Sequence, residues 1–287
     1  MASTINIASF YREHIRHGVR PNGRKLLRPR SVVADAGSTV STADGSALIR
    51  MGSTVVLASV QCEPIAPQPD ETEPEGRIVV SLEMPAICSP TASAGQGGSG
   101  GSAASAIGRW GKREREKAVL VELLQHTASE GLVDLSRLIV VEGHSAWSCC
   151  CDMVVIEDDG NLTDAALLAM MTALSRVRLP HCTLDEDSGG LLVTEERAIP
   201  LCLSLPLYPC SFAMVEGAAL LDPCAEEETH ASTCFTLMLD AKGAMRALHK
   251  PGGAPLPEGV LPECLQAAQQ RLPCLTALVA SSAGGGE

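Results

Sequence analysis

The pattern of apolar and polar residues along the chain predicts helices in four segments. Residues 118–126 carry an apolar stripe with the i, i+3, i+4 spacing of a helix that buries one face. Residues 162–177 consist mostly of Ala, Leu and Met, residue types with high helix propensity. The pattern also predicts an opening helix at residues 5–17 and a closing helix at 261–279, which Pro273 is expected to kink or break.

Segments rich in β-branched and apolar residues separate these helices, as is typical of strands. Near the N-terminus, the turn signals Asp44-Gly45 and Gly52-Ser53 divide three such segments and predict an antiparallel meander. The predicted strands are residues 30–36, 46–51, 54–62, 77–84, 138–142, 146–156, 191–195, 201–205, 211–215, 218–222, 233–240 and 245–249. Two groups of strands, each followed by a helix, predict one α/β body with a mixed sheet, and we expect a single domain over residues 1–279.

Three other segments lack the apolar content of a core. Residues 89–107 are mostly Gly, Ser, Ala and Thr, which bury too little apolar area to offset the entropy of ordering, so we expect a mobile insertion. Residues 63–76 combine prolines with acidic residues and predict an exposed acidic loop. The last residues, 280–287, predict a disordered tail.

Charge limits the classes of function. The chain of 287 residues has 22 Lys and Arg against 34 Asp and Glu, a formal net charge of −12, which disfavours a free-standing nucleic-acid binder. Any RNA role must rest on a local basic patch or on partner subunits.

Composition also limits compartment and cofactor. No run approaches the ~18 to 20 apolar residues of a membrane helix, and the N-terminal segment lacks the apolar core of a signal peptide. We therefore expect a soluble protein in a reducing compartment, with its twelve cysteines as free thiols. No C-x2-C spacing occurs, so we expect neither a metal site nor a cofactor. Cys149, Cys150 and Cys151 would alternate between the faces of a strand and are predicted to be small core residues.

Four motifs together resemble one family. They are residues 20–24 (Arg-Pro-Asn-Gly-Arg), 41–56, 159–166 (Asp-Gly-Asn-Leu-Thr-Asp-Ala-Ala) and 248–253 (Leu-His-Lys-Pro-Gly-Gly). In this order and spacing they resemble the ribonuclease PH-like subunits of the eukaryotic RNA exosome ring, over about residues 8–279. The second pair of motifs resembles the non-catalytic members in particular. The resemblance implies a ribonuclease PH-like fold, with two strand-rich halves and packed helices.

The resemblance also identifies where catalysis would occur. Active members degrade RNA from its 3′ end with inorganic phosphate, and an arginine at the start of the long helix binds that phosphate. Here Leu162 and Thr163 occupy those places and Asp164 follows, so we predict a degenerate phosphate site without its cation. Active members also carry an Asp-x-Asp pair, of which only Asp222 is present. We predict that Asp222 is a relic or a local turn acceptor, and that Glu226 to Glu228 form a solvated acidic loop.

Three hypotheses of function follow. The first is a non-catalytic exosome ring subunit that supports assembly and the RNA channel for 3′-to-5′ processing and decay, including ribosomal RNA maturation. The second is an active phosphate-dependent 3′-to-5′ exoribonuclease, and the third is an acidic scaffold outside RNA metabolism. The missing phosphate arginine favours the first over the second, and the arginines of residues 20–24 with the basic run 109–117 favour it over the third.

The first hypothesis implies partners and a location. The partners are other ribonuclease PH-like subunits in a six-membered ring, S1/KH cap subunits, an associated catalytic exoribonuclease, and RNA in the assembled channel. The implied location is the nucleus, nucleolus and cytoplasm. Arg109, Lys112 and Arg113 are the predicted RNA contacts, since the resembling subunits use basic residues in this neighbourhood. The alternative is a solvated helix start on which Glu114 and Glu116 balance the charge.

Overall fold

A computed structural model describes residues 7–35, 39–65, 76–88, 103–141, 144–184 and 191–283. The helices in this part of the chain are α1 Ile7–Arg16, α2 Ala103–Thr127, α3 Leu162–Arg176, α4 Ala225–His230 and α5 Val260–Ala283. The strands are β1 Val32–Asp35, β2 Gly45–Met51, β3 Thr54–Ile65, β4 Arg77–Glu83, β5 Ile139–Val141, β6 Ser145–Glu157, β7 Arg178–Leu184, β8 Leu191–Pro200, β9 Tyr208–Val215, β10 Ala218–Leu221, β11 Thr233–Leu239 and β12 Met245–His249.

The first sheet is mixed, as the sequence predicted. Its order is β1-β2-β3-β6-β4, with β5 paired to β6. Strands β1, β2 and β3 form the predicted antiparallel meander, and β3 continues antiparallel to β6. Strand β4 lies parallel to β6 at the end of this order, with residues that alternate between exposed and buried. One face of this sheet is therefore committed to the core.

The second sheet is antiparallel, in the order β10-β9-β11-β12, and β7 and β8 form a separate hairpin. Every residue of the central strand β9 is buried. Helix α3 lies between the two sheets and contacts β2 and β3 on one side and β9 and α5 on the other. Its residues from Asp164 to Leu174 are all buried, which explains its apolar composition on all sides.

Close packing of α3 against β2 depends on a glycine. A Cβ atom at Gly45 would lie 2.5 Å from the carbonyl oxygen of Ala173 and 2.9 Å from a methyl of Val177. The helix therefore approaches the strand more closely than any side chain at position 45 would allow. This contact fixes the C-terminal end of α3 relative to the first sheet.

The expected mobile insertion, residues 89–107, overlaps a helix, and its mobility stays a prediction. Helix α2 begins at Ala103, so residues 103–107 are helical, because alanines in this stretch favour helix more than the Gly/Ser composition suggested. Residues 89–102 lie outside the described part of the chain, as do residues 66–75 of the predicted acidic loop.

The expected tail and helix break also differ from the structure. Helix α5 continues through Pro273 to Ala283, so residues 280–283 are helical, and residues 284–287 lie outside the described part. Buried side chains on both sides of the proline, Leu272 and Leu275, hold the helix against the core. This packing outweighs the one intrahelical hydrogen bond that a proline removes.

Three elements differ from the predicted set. The predicted strand at 201–205 is wrong: Leu203 makes an isolated bridge to Val133, and Pro200 and Pro206 flank the segment. Strand β7 and helix α4 were not predicted. Helix α4 contains the acidic run that was expected to be a loop.

Candidate functional site

The predicted degenerate phosphate site lies at the start of helix α3 and in the loop before it. Asn161 adopts the left-handed conformation (φ 54°, ψ 43°), and its side-chain oxygen accepts a hydrogen bond from the backbone N–H of Asp164 at 3.4 Å. Asn161 therefore caps the helix, a common role for asparagine. Gly160 (φ 80°) has no room for a side chain, because a Cβ there would lie 2.4 Å from the backbone nitrogen of Ala225. The start of α3 is thus locked against the start of α4.

Asp164 points into the core. Its carboxylate is fully buried and accepts hydrogen bonds from Nη1 of Arg271 at 2.9 Å and from Oγ of Ser211 at 2.6 Å. Arg271, on helix α5, is itself buried. The charge of Asp164 is therefore neutralised inside the protein. Leu162 and Thr163, which are both half-buried, offer no positive charge to an anion outside the helix.

Glu228 occupies the start of the helix with a carboxyl group. Its Oε1 accepts a hydrogen bond from the backbone N–H of Asn161 at 2.7 Å. Backbone N–H groups at a helix start commonly bind phosphate or carboxylate. Burial raises the pKa of Glu228 to about 8, against the lowering effect of the Asn161 N–H. The chain thus supplies its own acceptor for an N–H group that a bound anion would use.

Asp222 is a buried acceptor for residues distant in sequence. It has a positive φ of 56° and accepts hydrogen bonds from Nη2 of Arg30 at 2.8 Å, from the backbone N–H of Arg30 at 2.7 Å and from Nδ2 of Asn161 at 2.7 Å. Burial by itself raises the pKa of Asp222, but the hydrogen bond and charge of Arg30 lower it to about 2. An acid with so low a pKa is a poor proton donor at neutral pH. Asp222 joins the chain before β1 to the end of β10.

The arginines of residues 20–24 also point inward. Arg20 is fully buried, and its Nη2 donates short hydrogen bonds to the carbonyl oxygens of Leu26 and Leu221. Burial lowers the pKa of Arg20 to about 10, although the negative charge of Glu227 opposes this. Arg24 lies 3.3 Å from a carboxylate oxygen of Asp222. This turn therefore ties the N-terminal segment to the second sheet.

The expectation of a solvated acidic loop is wrong for part of residues 226–228. Glu227 is 1% exposed and pairs with Nη1 of Arg20 at 3.1 Å, while Glu228 is half-buried and Glu226 exposed. The physical reason is that a buried arginine needs a carboxylate partner, and helix α4 presents Glu227 to Arg20.

Four arginines and four carboxylates thus meet around the loop before α3, and we call them the buried ion-pair cluster, in which the side chain of Asp159 is 43% exposed. Its members are Arg20, Arg24, Arg30, Arg271, Asp159, Asp164, Asp222 and Glu227. The formal charges of these eight side chains cancel, so they hold no excess positive charge for a phosphate. Sequence reasoning missed Arg30, Arg271 and Ser211, whose partners are remote in sequence. The Gly-Asn pair before an apolar helix was a signal for Asn161 as a cap.

Of the three predicted RNA contacts, the structure describes the side chain of Arg113 alone, while those of Arg109 and Lys112 on α2 lie outside the described part. The guanidinium of Arg113 donates to Sγ of Cys88 at 2.7 Å and to the carbonyl oxygen of Pro85 at 3.3 Å. It is therefore directed at the turn that follows β4. The role of Arg109, Lys112 and Arg113 in RNA binding stays a prediction.

Neither a metal site nor a membrane helix is found in the part of the chain that the structure describes. No three His, Cys, Asp or Glu side chains there are arranged to hold a metal ion. No described helix combines the length and apolar character needed to cross a membrane.

Comparison with known proteins gives the chain relatives over nearly its whole length. The exosome complex component Rrp42 of Methanopyrus kandleri is 30% identical over 257 residues, covering 90% of this chain and 89% of the relative. The exosome complex component rrp43 of Schizosaccharomyces pombe is 29% identical over 254 residues, covering 88% and 87%.

Solved structures agree with the fold. A chain of an Archaeoglobus fulgidus exosome with RNA bound to the active site has 26% identity and a TM-score of 0.73, over 94% of this chain and 96% of the other. A chain of an archaeal exosome core, at 24% identity, has the same TM-score of 0.73 over 95% and 96%. The predicted ribonuclease PH-like fold is confirmed.

Family models match both halves of the chain. The model of the 3′ exoribonuclease family, domain 1, matches residues 28–180, and that of domain 2 matches residues 206–271. The single domain over residues 1–279 stays a prediction. The two domain models match in order and together cover well over half of the sequence, and relatives align over most of the rest. The chain therefore belongs to the 3′ exoribonuclease family.

Proposed function

We propose that the chain is a non-catalytic ring subunit of an exosome, which supports assembly of the ring and its RNA channel. The likeness to Rrp42 and rrp43, both named exosome complex components, supports the ring subunit. The lack of catalysis is supported chiefly by the residues at the start of α3. There Leu162 and Thr163 provide no cation, and the carboxyl group of Glu228 already binds the N–H of Asn161.

The chemistry of phosphorolysis supports this assignment. An attacking phosphate needs cationic or backbone donors, and the leaving ribose oxygen needs an acid. The arginines nearest the loop are paired with carboxylates in the buried ion-pair cluster. Asp222 is ionised and bound to Arg30, so it is unsuited to donate a proton.

The proposal extends to partners and location. The chain would join other ribonuclease PH-like subunits in a six-membered ring, beneath S1/KH cap subunits and beside an associated catalytic exoribonuclease. RNA would pass through the assembled channel for 3′-to-5′ processing and decay, including ribosomal RNA maturation. The corresponding location in a eukaryotic cell is the nucleus, nucleolus and cytoplasm.

Purification of the tagged chain from its native cell extract, followed by mass spectrometry, tests the assignment to a ring. We expect five further ribonuclease PH-like chains and S1-domain cap subunits in near-equal amounts. Recovery of the chain without ribonuclease PH-like partners would contradict the proposal and favour a scaffold outside RNA metabolism.

A further inference from the structure

Two cysteines face each other across neighbouring strands, away from the buried ion-pair cluster. The antiparallel register of β3 and β6 places Cys62 directly opposite Cys149, and their Sγ atoms are 3.2 Å apart. Residues directly opposite in an antiparallel pair have Cα atoms roughly 4.5 to 5.5 Å apart, within the range of about 4.4 to 6.8 Å that a disulfide spans. The strands need not separate or slide for the two sulfurs to bond.

The same ladder separates this pair from the neighbouring cysteines. All twelve cysteines are free thiols. Cys150 lies opposite Gln61 and Cys151 opposite Val60, so neither meets a cysteine on β3. On its other side, Cys149 lies beside Ile78 of β4. The register therefore selects one partner for Cys149.

One sulfur of the pair is accessible to a small oxidant, and the other has a lowered pKa. Cys62 lies half-buried near the end of β3, whereas Cys149 is fully buried. The thiol of Cys62 donates to Sγ of Cys149, which lowers the pKa of Cys149 and raises that of Cys62. A thiolate is the reactive form of cysteine. The half-buried sulfur gives a small oxidant access to the pair.

The geometry points to a redox modification site, at which hydrogen peroxide converts Cys62 and Cys149 into a reversible cross-strand disulfide. One sulfur attacks a peroxide oxygen, the O–O bond breaks, and a sulfenic acid and one water form. The other sulfur then displaces the hydroxyl group as a second water, so that both thiol protons leave in water. A reducing thiol reverses the bond by exchange through a mixed disulfide.

The bond would join parts of the chain that are 87 residues apart in sequence. A crosslink that closes so long a loop restricts the unfolded chain and raises the thermal stability of the fold. The disulfide would hold the end of β3 against the start of β6.

Peroxide treatment of the full-length chain, capping of remaining thiols with N-ethylmaleimide, and peptide mapping without reduction test the inference. We expect a crosslinked peptide containing Cys62 and Cys149 that dithiothreitol removes, and a Tm higher by several degrees in the oxidised form. Cys62→Ser should abolish both effects. The matched control Cys150→Ser, one residue from Cys149 on the same strand, should retain both.

Mapping of the unsubstituted chain decides the matter even if a serine variant does not fold. Capping of both Cys62 and Cys149 by N-ethylmaleimide after peroxide treatment would overturn the inference. So would a sulfinic acid at Cys62 without the crosslink, or a crosslink from Cys62 to another cysteine.

Discussion

Single residues in the buried ion-pair cluster carry stability that cannot come from apolar packing. Asp222 binds Arg30 through two side-chain nitrogens and the backbone, and Asp164 binds Arg271. Removing one partner of such a pair leaves an unpaired buried charge, which costs far more than the loss of an exposed pair. The cluster thus contributes to stability in the region that the family resemblance marks as catalytic.

Asp222→Asn should lower the free energy of unfolding by about 3 kcal/mol at pH 7, because Arg30 and Arg24 lose a buried carboxylate. The matched control is Asp159→Asn, which also removes a partner of Arg30 but at a side chain 43% exposed. That change should cost less than about 1 kcal/mol. Urea unfolding of both variants measures the difference, and equal losses would contradict the structural role of Asp222.

Glu228→Gln should change how stability depends on pH. The pKa of Glu228 in the folded chain is raised to about 8, so between about pH 4.5 and 8 the folded state holds a proton that the unfolded state has released. The stability that comes from binding this proton is fully present below about pH 4.5 and is lost as the pH rises towards 8. Relative to the glutamine variant, the natural chain should lose stability on the order of a few kcal/mol across that window. Parallel pH profiles from urea unfolding would show that Glu228 has an ordinary pKa.

At the scale of elements, the sequence predicted the helices and strands whose formation depends on neighbouring residues in the chain. The helix at 162–177 is confirmed as α3 Leu162–Arg176, and the first three strands are confirmed as a meander. The predicted strand at 201–205 failed because its residues find isolated partners in Val133 and Val177 instead of a neighbouring strand. Helix α4 was missed because the burial of its glutamate depends on Arg20, 207 residues away. The sequence drew attention to Asp164 and Asp222, but their pairing with Arg271 and Arg30 could not be predicted, because these partners are remote in sequence.

Helix α2 protects the outer edge of the first sheet through one amide. Strand β4 ends the sheet order, and Oε1 of Gln125 accepts from the backbone N–H of Val80 at 2.9 Å, while its Nε2 donates to the carbonyl oxygen of Ile78 at 2.7 Å. An uncovered edge of this kind is a site for unwanted strand pairing.

Gln125→Ala should therefore speed hydrogen exchange of the Val80 amide by about tenfold, because the amide loses its one hydrogen bond to Gln125. Gln125→Glu, the matched variant, keeps an acceptor for Val80 but loses the donor to Ile78, and should show a smaller change. The Val79 amide points towards β6 and is the internal reference. Equal acceleration at Val79 and Val80 would mean that the whole strand loosens and that Gln125 has no specific role at the edge.

At the scale of the whole molecule, the net charge of −12 means that RNA affinity must come from position within an assembly. Each phosphate contact contributes about 0.7 to the salt slope of single-strand binding. Changing Arg109, Lys112 and Arg113 together to Ala in the assembled complex should therefore weaken RNA binding and flatten the slope by about 2.

The control for this triple change removes three exposed cations elsewhere, Arg16, Arg137 and Lys242. Binding titrations at several salt concentrations should leave the control slope unchanged. An unchanged slope in the first variant would instead favour a solvated helix start, balanced by Glu114 and Glu116.

The central claim, a family member without its own catalysis, is tested most directly by phosphorolysis. The purified, monodisperse chain is incubated with a single-stranded RNA and inorganic phosphate, and the release of nucleoside diphosphates is measured against an active family member. We predict no phosphate-dependent release at any phosphate concentration, because the start of α3 offers no cation at Leu162 and Thr163 and the N–H of Asn161 is already bound to Glu228. Phosphate-dependent release of nucleoside diphosphates that co-elutes with the chain would contradict the account.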